Sequence, residues 1–183
     1  MAQVSVLGID IAKQLFHVVG MDDTGTVVWR KRLARGALMP FIAQLSPVVI
    51  GMEACGGAHY WARCFRAHGH TVKLMAPQFV KPYVKSNKHD MADAAAIAEA
   101  VTRPTMRFVP IKELAQQDFQ AIHRIRERLV KARTALINEM RGLLHEYGII
   151  LPQGVTKFRH GFLATLEREQ AKLTELSREV FQR

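Results

Sequence analysis

Cysteine is nearly absent. Cys55 and Cys64 are the only two in 183 residues, too few for a disulfide scaffold and wrongly spaced for a zinc module, so both read as reduced, small apolar side chains. Long apolar runs are also missing. The longest uncharged stretch, Gly36 to Met52, has 17 residues with Pro40 and Pro47 inside it, whereas a membrane-spanning helix needs about 20 mostly apolar residues. The N-terminus has no basic segment leading into an apolar run and a small-residue cleavage site, which excludes a secretory signal and places the expected protein in the cytoplasm. No repeat or low-complexity tract interrupts the chain. Acidic residues are under-represented, with 16 against 26 lysines and arginines, a formal charge of +10. Such a surplus favours a polyanionic partner, usually nucleic acid. With 49% apolar residues, the chain can bury a core, and its length suits one domain or a domain with a helical appendage.

The first hundred residues alternate between strand and helix signals. Val4 to Ile9, Leu15 to Met21 and Thr26 to Arg32 are β-rich runs separated by Lys13-Gln14 and by Asp22-Asp23-Thr24-Gly25, which predicts an antiparallel meander. Val48 to Met52 is a continuous apolar run suited to a strand buried on both faces. Helices are expected over Gly36 to Leu45, interrupted at Pro40, over Ala58 to His68 and over the alanine-rich Asp90 to Val101, with a further strand over Thr71 to Met75 and a short helix or turn over Pro77 to Val84. From Lys112 to about Tyr147 glycine and proline almost vanish, and Ile122, Ile125, Leu129, Ala132 and Leu136 recur at steps of three and four. That pattern predicts one long amphipathic helix with a narrow seam, stuttering at Met140 before Leu143 and Tyr147. After a loop over 148–161, a second helix is expected to the end, with Leu163, Leu166, Leu173, Leu176 and Val180 on one side. The two helices suit either an intramolecular hairpin or half of an intermolecular coiled coil.

Only seven acids occur in the first 102 positions, and four stand where chemistry would place them. Asp10 ends the first strand and Glu53 ends the buried one. Carboxylates there sit at the carboxyl edge of the sheet, where open α/β sheets bind ligands, and two adjacent strands would bring both acids to one rim. Asp90 and Asp93, three apart on a helix, share a face. Carboxylates held together repel, and a divalent cation relieves that repulsion; all-oxygen ligands favour Mg2+, with Mn2+ also suited. A pair of such ions serves phosphodiester chemistry. Taken singly, the helical pair also fits an N-cap with a first-turn acid, and Asp10 a turn residue. Glu53 is harder to dismiss, because glutamate is an expensive residue at the end of a buried strand.

Gly8-Ile9-Asp10-Ile11-Ala12-Lys13, Gly51-Met52-Glu53-Ala54 with its following glycine pair, and Asn87-Lys88-His89-Asp90-Met91-Ala92-Asp93-Ala94 running into Ile97-Ala98 resemble the N-terminal RuvC-like domain of the DEDD transposases. This insertion-sequence group is related to the Piv and MooV recombinases, and some members are guided by a bridge RNA. The resemblance runs from about Ser5 to Arg103, and the basic helix beyond is similar to the family's coiled-coil insertion. It implies an RNase H-like α/β fold: a mixed sheet with flanking helices over residues 1–110, then a long-helix coiled coil or helical hairpin over 111–183. It implies Asp10, Glu53, Asp90 and Asp93 as a catalytic, magnesium-binding tetrad acting on DNA, with Lys88 as the basic residue before the third acid and His89 a bystander. The family also carries a C-terminal domain with a nucleophilic serine. Ser5, Ser46, Ser86 and Ser177 lack its glycine-rich context, so no nucleophile is assigned and the chain is expected to be a front portion that cannot complete recombination alone.

Charge is uneven: residues 1–102 hold 11 basic and 7 acidic residues, residues 103–183 hold 15 and 9. Arg124, Arg126, Arg128, Lys131 and Arg133 surround a single acid, Glu127, and read as a rail for phosphates or as a solvated helix face. The resemblance favours binding, with an RNA backbone as target and the long helices joining copies of the chain. Lys81, Lys85 and Lys88 could hold the substrate strand near the acids. His59, His68 and His70 cluster around the second helix without a clear role, and Tyr60 and Trp61 read as packing residues. Two other classes compete. Gly-Ile-Asp after a strand also opens actin-like ATPases, but a second nucleotide lobe would not fit in this length. A non-catalytic nucleic-acid-binding or assembly module, with structural acids, is the other alternative.

Overall fold

The computed structural model describes residues 3–84 and 90–182. The chain divides into two compact units, Met1–Glu113 and Leu114–Arg183. The first is a six-stranded mixed sheet. Strands β1 (Val6–Asp10), β2 (Leu15–Met21) and β3 (Val27–Ala34) form the expected meander. Its second turn is closed by Asp22, whose carboxylate accepts the Thr24 and Thr26 N–H groups at 3.0 and 2.9 Å, and by Gly25 at φ +84°. Helix α1 (Arg35–Ala43) leads to β4 (Val49–Glu53), parallel to β1; α2 (Ala58–Ala67) leads to β5 (Thr71–Met75), parallel to β4. A short α3 (Pro77–Val80) and a 3-10 turn (Lys81–Tyr83) precede α4 (Asp90–Ala100), and β6 (Phe108–Val109) pairs antiparallel with β5. The strand order is β3-β2-β1-β4-β5-β6.

Alternation along the strands sorts the core into two layers. Leu7, Ile9, Phe16, Val18, Ile50 and Met52 point towards α1 and α2, where they meet Leu38, Ile42, Trp61 and Phe65. Val6, Val19 and Met21 point the other way, onto α4. Burying each large side chain contributes roughly 1.5 to 3 kcal/mol. On the α4 side Gly8 and Gly51 let the helix come in close. A Cβ on Gly8 would strike the Ala94 carbonyl and the Ala98 backbone, and one on Gly51 would lie 2.8 Å from Val101 Cβ. The alanines read as helix formers thus have a second role, since Ala94 and Ala98 present almost no side chain to the sheet.

Two elements depart from expectation. Helix α1 runs through Pro40, which cannot donate to the carbonyl of Gly36; that carbonyl belongs to an exposed residue and can turn to water. Strand β6 has two residues, too few for any periodic signal. The outer strand β3 exposes Arg30, Lys31 and Arg32, charges that discourage edge-to-edge pairing.

In the second unit, α5 (Leu114–Glu146) is one helix of 33 residues, about 50 Å long at 1.5 Å per residue. It is followed by α6 (Val155–Arg168), a 3-10 turn (Gln170–Lys172) and α7 (Glu175–Gln182). The core joins Ile137, Leu144, Ile149 and Leu151 to Phe158, Phe162, Leu166, Leu173 and Phe181. The C-terminal part of α5 therefore packs in an intrachain hairpin, but not by the expected face. Leu143 and Tyr147 are exposed; Ile137 and Leu144, one position further round, are buried. The last helix is likewise corrected. It starts at Val155 rather than after Gly161 and breaks near Thr174, whose hydroxyl accepts the Ser177 N–H at 3.1 Å as an N-cap. The break resets the helical phase, so Leu163, Leu176 and Val180 face solvent and phenylalanines fill the core. Ile122, Ile125, Leu129 and Leu136 also remain open, Leu129 at 60%.

Candidate functional site

Because β1 and β4 are parallel neighbours, Asp10 and Glu53 finish adjacent strands at the same edge of the sheet. Helix α4 brings Asp93 to the same place. The three carboxylates line one cavity of about 530 Å3 with Gln78, Lys81 and Val84. Asp90, one turn earlier on α4, is 71% exposed, its Oδ2 lying 3.7 Å from Nδ1 of His17. Burial pushes the Asp10 carboxyl above its ordinary 3.8, and the charges of Asp93 and then Asp90 push it further in the same direction; His17 and the Ile11 N–H oppose them. Burial and neighbouring carboxylates both disfavour the charged form, as expected where acids converge.

His17 escaped the sequence reading. It sits on β2 directly opposite Asp10, is buried, and its Nδ1 has no hydrogen-bond partner among the described residues. The available signal was its place in the alternation: an inward position of β2 occupied by a titratable side chain instead of an apolar one. The donor chemistry fits a hard divalent cation. Oxygen ligands from strand ends and a helix face one cavity, and the His17 ring lies beside Asp10 and Asp90. Among the described residues, no three His, Cys, Asp or Glu side chains already stand close enough to enclose an ion.

Lys81 lines the acidic cavity, whereas Lys85 and Lys88, with His89, lie outside the described residues. On α5 the five cations do not form one rail. At 100° per residue, Arg124, Arg128 and Lys131 share one flank of the apolar stripe, and Arg126 and Arg133 line the other beside Ile122, Ile125 and Leu129. Lys131 pairs with Glu127 at 2.6 Å, an exposed contact worth a few tenths of a kcal/mol.

The remaining singled-out residues have structural partners. His70 is buried, accepting the Val48 N–H on Nδ1 and meeting the Ile42 carbonyl through Nε2 at 3.2 Å. His59 Nδ1 accepts the Lys112 N–H, and Arg63 donates to the Lys112 carbonyl at 2.6 Å, so α2 clamps the chain just before the second unit begins. Burial, then Lys112 and Arg63, hold the His59 imidazole below its usual range. Trp61 is buried in an aromatic group with Phe16 and Phe65, while Tyr60 is 49% exposed. Both cysteines are free. Among the described residues, no helix is long and apolar enough to cross a membrane.

The class so defined is an α/β domain with a rim of carboxylates at the carboxyl edge of a mixed sheet. Residues 7–149 match the IS110-type DEDD family, described as Transposase, and the chain belongs to that family. It is similar to a Pseudomonas aeruginosa protein named as a family 20 transposase, 58% identical over 146 residues, 80% of this chain and 43% of that protein. The transposase for insertion sequence element IS1111A of Coxiella burnetii is 47% identical over 180 residues, covering 98% of this chain and 50% of its own length. That for IS1328 of Yersinia enterocolitica is 43% identical over 169 residues, 92% and 50%. The chain thus spans about half the length of the curated relatives it matches. Among solved structures, Thermus thermophilus RuvC in complex with a Holliday junction substrate covers 57% of this chain and 98% of its own, at 14% identity and a TM-score of 0.44.

Proposed function

We propose that this chain is the metal-binding part of a DNA transposase and acts on DNA phosphodiesters through Asp10, Glu53, Asp90 and Asp93. The observation that carries this reading is the convergence of Asp10, Glu53 and Asp93, from three separate elements, on one cavity, where burial and then the charges of Asp93 and Asp90 hold the Asp10 carboxyl up. The four carboxylates would hold Mg2+ or Mn2+, an ion that would supply positive charge to phosphodiester chemistry. Asp10 and Glu53 would offer their oxygens from rigid strand ends, and Asp93 from α4. Lys81, on the wall of the same cavity, meets the negative backbone of the strand. No serine of this chain is assigned as nucleophile: Ser177 is engaged in the Thr174 cap and Ser5 bonds the Met21 carbonyl.

The cations of α5 serve an extended polyanion, with a guide RNA backbone as the favoured target, and Lys85 and Lys88 belong to the substrate path beside the acids. The open stripe from Ile122 to Leu136 joins copies of the chain, since an apolar strip of this length on a soluble helix is normally covered. Calorimetric titration with MnCl2 tests the central claim. Wild type is expected to bind and to cleave DNA in a metal-dependent way if supplied with its nucleophile, with Asp10→Asn and Glu53→Gln each weakening metal binding at least tenfold. Unchanged binding in both variants would leave a non-catalytic nucleic-acid-binding module as the surviving reading.

A further inference from the structure

A second cavity, of about 380 Å3, opens at the same edge of the sheet on the α1 and α2 side. Its walls come from the loops that directly follow the two strand-end acids: Lys13 lies three residues after Asp10, and Gly56 three after Glu53. Arg35, Tyr60 and Trp61 complete it.

What marks this cavity is a cation held in place by its neighbours. The Arg35 guanidinium lies over the buried Trp61 ring, 5.1 Å from its centroid, and donates from Nη1 to the Lys13 carbonyl at 3.1 Å. Its own N–H is fixed to the Gln14 carbonyl at 2.8 Å. Two of its degrees of freedom are therefore spent before any ligand arrives. Among the described residues, neither Arg35 nor Lys13 has a carboxylate partner. Tyr60 stands against the edge of Trp61 with half of its surface open, and nothing lies within 4 Å of a Cβ built on Gly56. Paired cations, an open aromatic face and bare backbone match a nucleotide, in which a phosphate and a flat base lie side by side.

We propose that this cavity binds one nucleotide of the DNA strand, next to the phosphate held at the acids, with its phosphate on Arg35 and Lys13 and its base against Tyr60. The assignment rests on the proposed function for its choice of strand, and its test is independent of metal. Binding of a short fluorescent single-stranded DNA is followed by anisotropy in metal-free buffer across a salt series. Arg35→Ala is expected to weaken binding and to reduce the log–log salt slope by about 0.7, the value for one phosphate contact on a single strand. Tyr60→Ala is expected to cost about 5-fold or more, with Tyr60→Phe close to wild type because the ring remains. Arg35→Ala is expected to bind MnCl2 like wild type in the calorimetric titration, so the metal claim and this one fail separately. Wild-type affinity and slope in both Arg35→Ala and Tyr60→Ala, with tryptophan fluorescence showing an intact fold, would overturn the proposal. So would a loss of affinity at unchanged slope in Arg35→Ala, which would mark a structural role, or a loss confined to an RNA strand of the same sequence.

Discussion

In the sheet unit, Val6, Leu7 and Ile9 of β1 are all buried, under helices on both faces; in the helical unit, Ile122, Ile125 and Leu129 stand open along one side of α5. Both stretches are apolar and both are periodic, so pattern alone does not tell a finished core from an unfinished one. What separates them is local closure. The sheet unit supplies its own covering helices, α1 and α2 on one face and α4 on the other, whereas among the described residues no segment covers the seam along the first two-thirds of α5. A region that closes on itself owes its stability to the chain, and a region that does not owes it to whatever covers it.

The sharpest way to break this contrast is Gly8→Ala. The added methyl meets the backbone of α4, so the helix must move, and a loss of about 3 kcal/mol or more is expected from overpacking. Both tryptophans, Trp29 and Trp61, lie in the sheet unit. Their fluorescence transition should therefore fall to lower denaturant while helical circular dichroism from α5 to α7 survives, and metal binding should weaken although no acid has been touched. Coincident loss of both signals would show that the units do not melt independently. Next in size, Leu144→Ala empties a fully buried position of the helical unit and should cost about 2 to 5 kcal/mol there, read as lost helicity with tryptophan unmoved. Leu129→Ala, on the open stripe, should change the stability of the isolated chain by no more than about 0.5 kcal/mol. In sedimentation it should nonetheless shift the chain towards smaller species; unchanged mass would sink the proposed role of the stripe.

The smallest effect concerns pH. The Asp10 carboxyl is raised in the fold, so below about 3.8, its ordinary value, it is protonated in both states and contributes nothing. As pH rises past that value the unfolded chain ionises first, and stability falls until the folded carboxyl also ionises. Asp10→Asn removes this penalty, so the metal-free variant should melt above wild type at neutral pH and equal to it in acid. Adding Mn2+ should reverse the order at neutral pH. A variant less stable than wild type without metal would mean that Asp10 contributes to the fold itself.

Much of the sheet was legible because each strand carries its own signal. Leu15 to Met21 and Thr71 to Met75 have the predicted limits, and the adjacency of Asp10 and Glu53 followed once two strand-end acids were noticed. His17 was not legible: its meaning depends on the register that sets it opposite Asp10, a fact of pairing rather than of sequence. Nor was the Arg35 cavity, assembled from loops more than forty residues apart along the chain. The helices erred in phase. A helical position is defined modulo 3.6 residues, so Ile137 and Leu144 were as eligible as Leu136 and Leu143, and only the phenylalanines of α6 decide between them.

The glycine under α4 has one last implication. No residue is smaller, and Ala94 and Ala98 above it are nearly so, which leaves the helix resting on the sheet by main-chain contact. The separation of the helix-borne acids from the strand-borne ones is accordingly fixed by the radii of backbone atoms, quantities that no substitution can shrink. Variation in the surrounding sequence can only push the two halves of the carboxylate rim apart. The fold thus gives the site a hard lower stop, and an ion drawing its ligands inward would be working against the backbone itself.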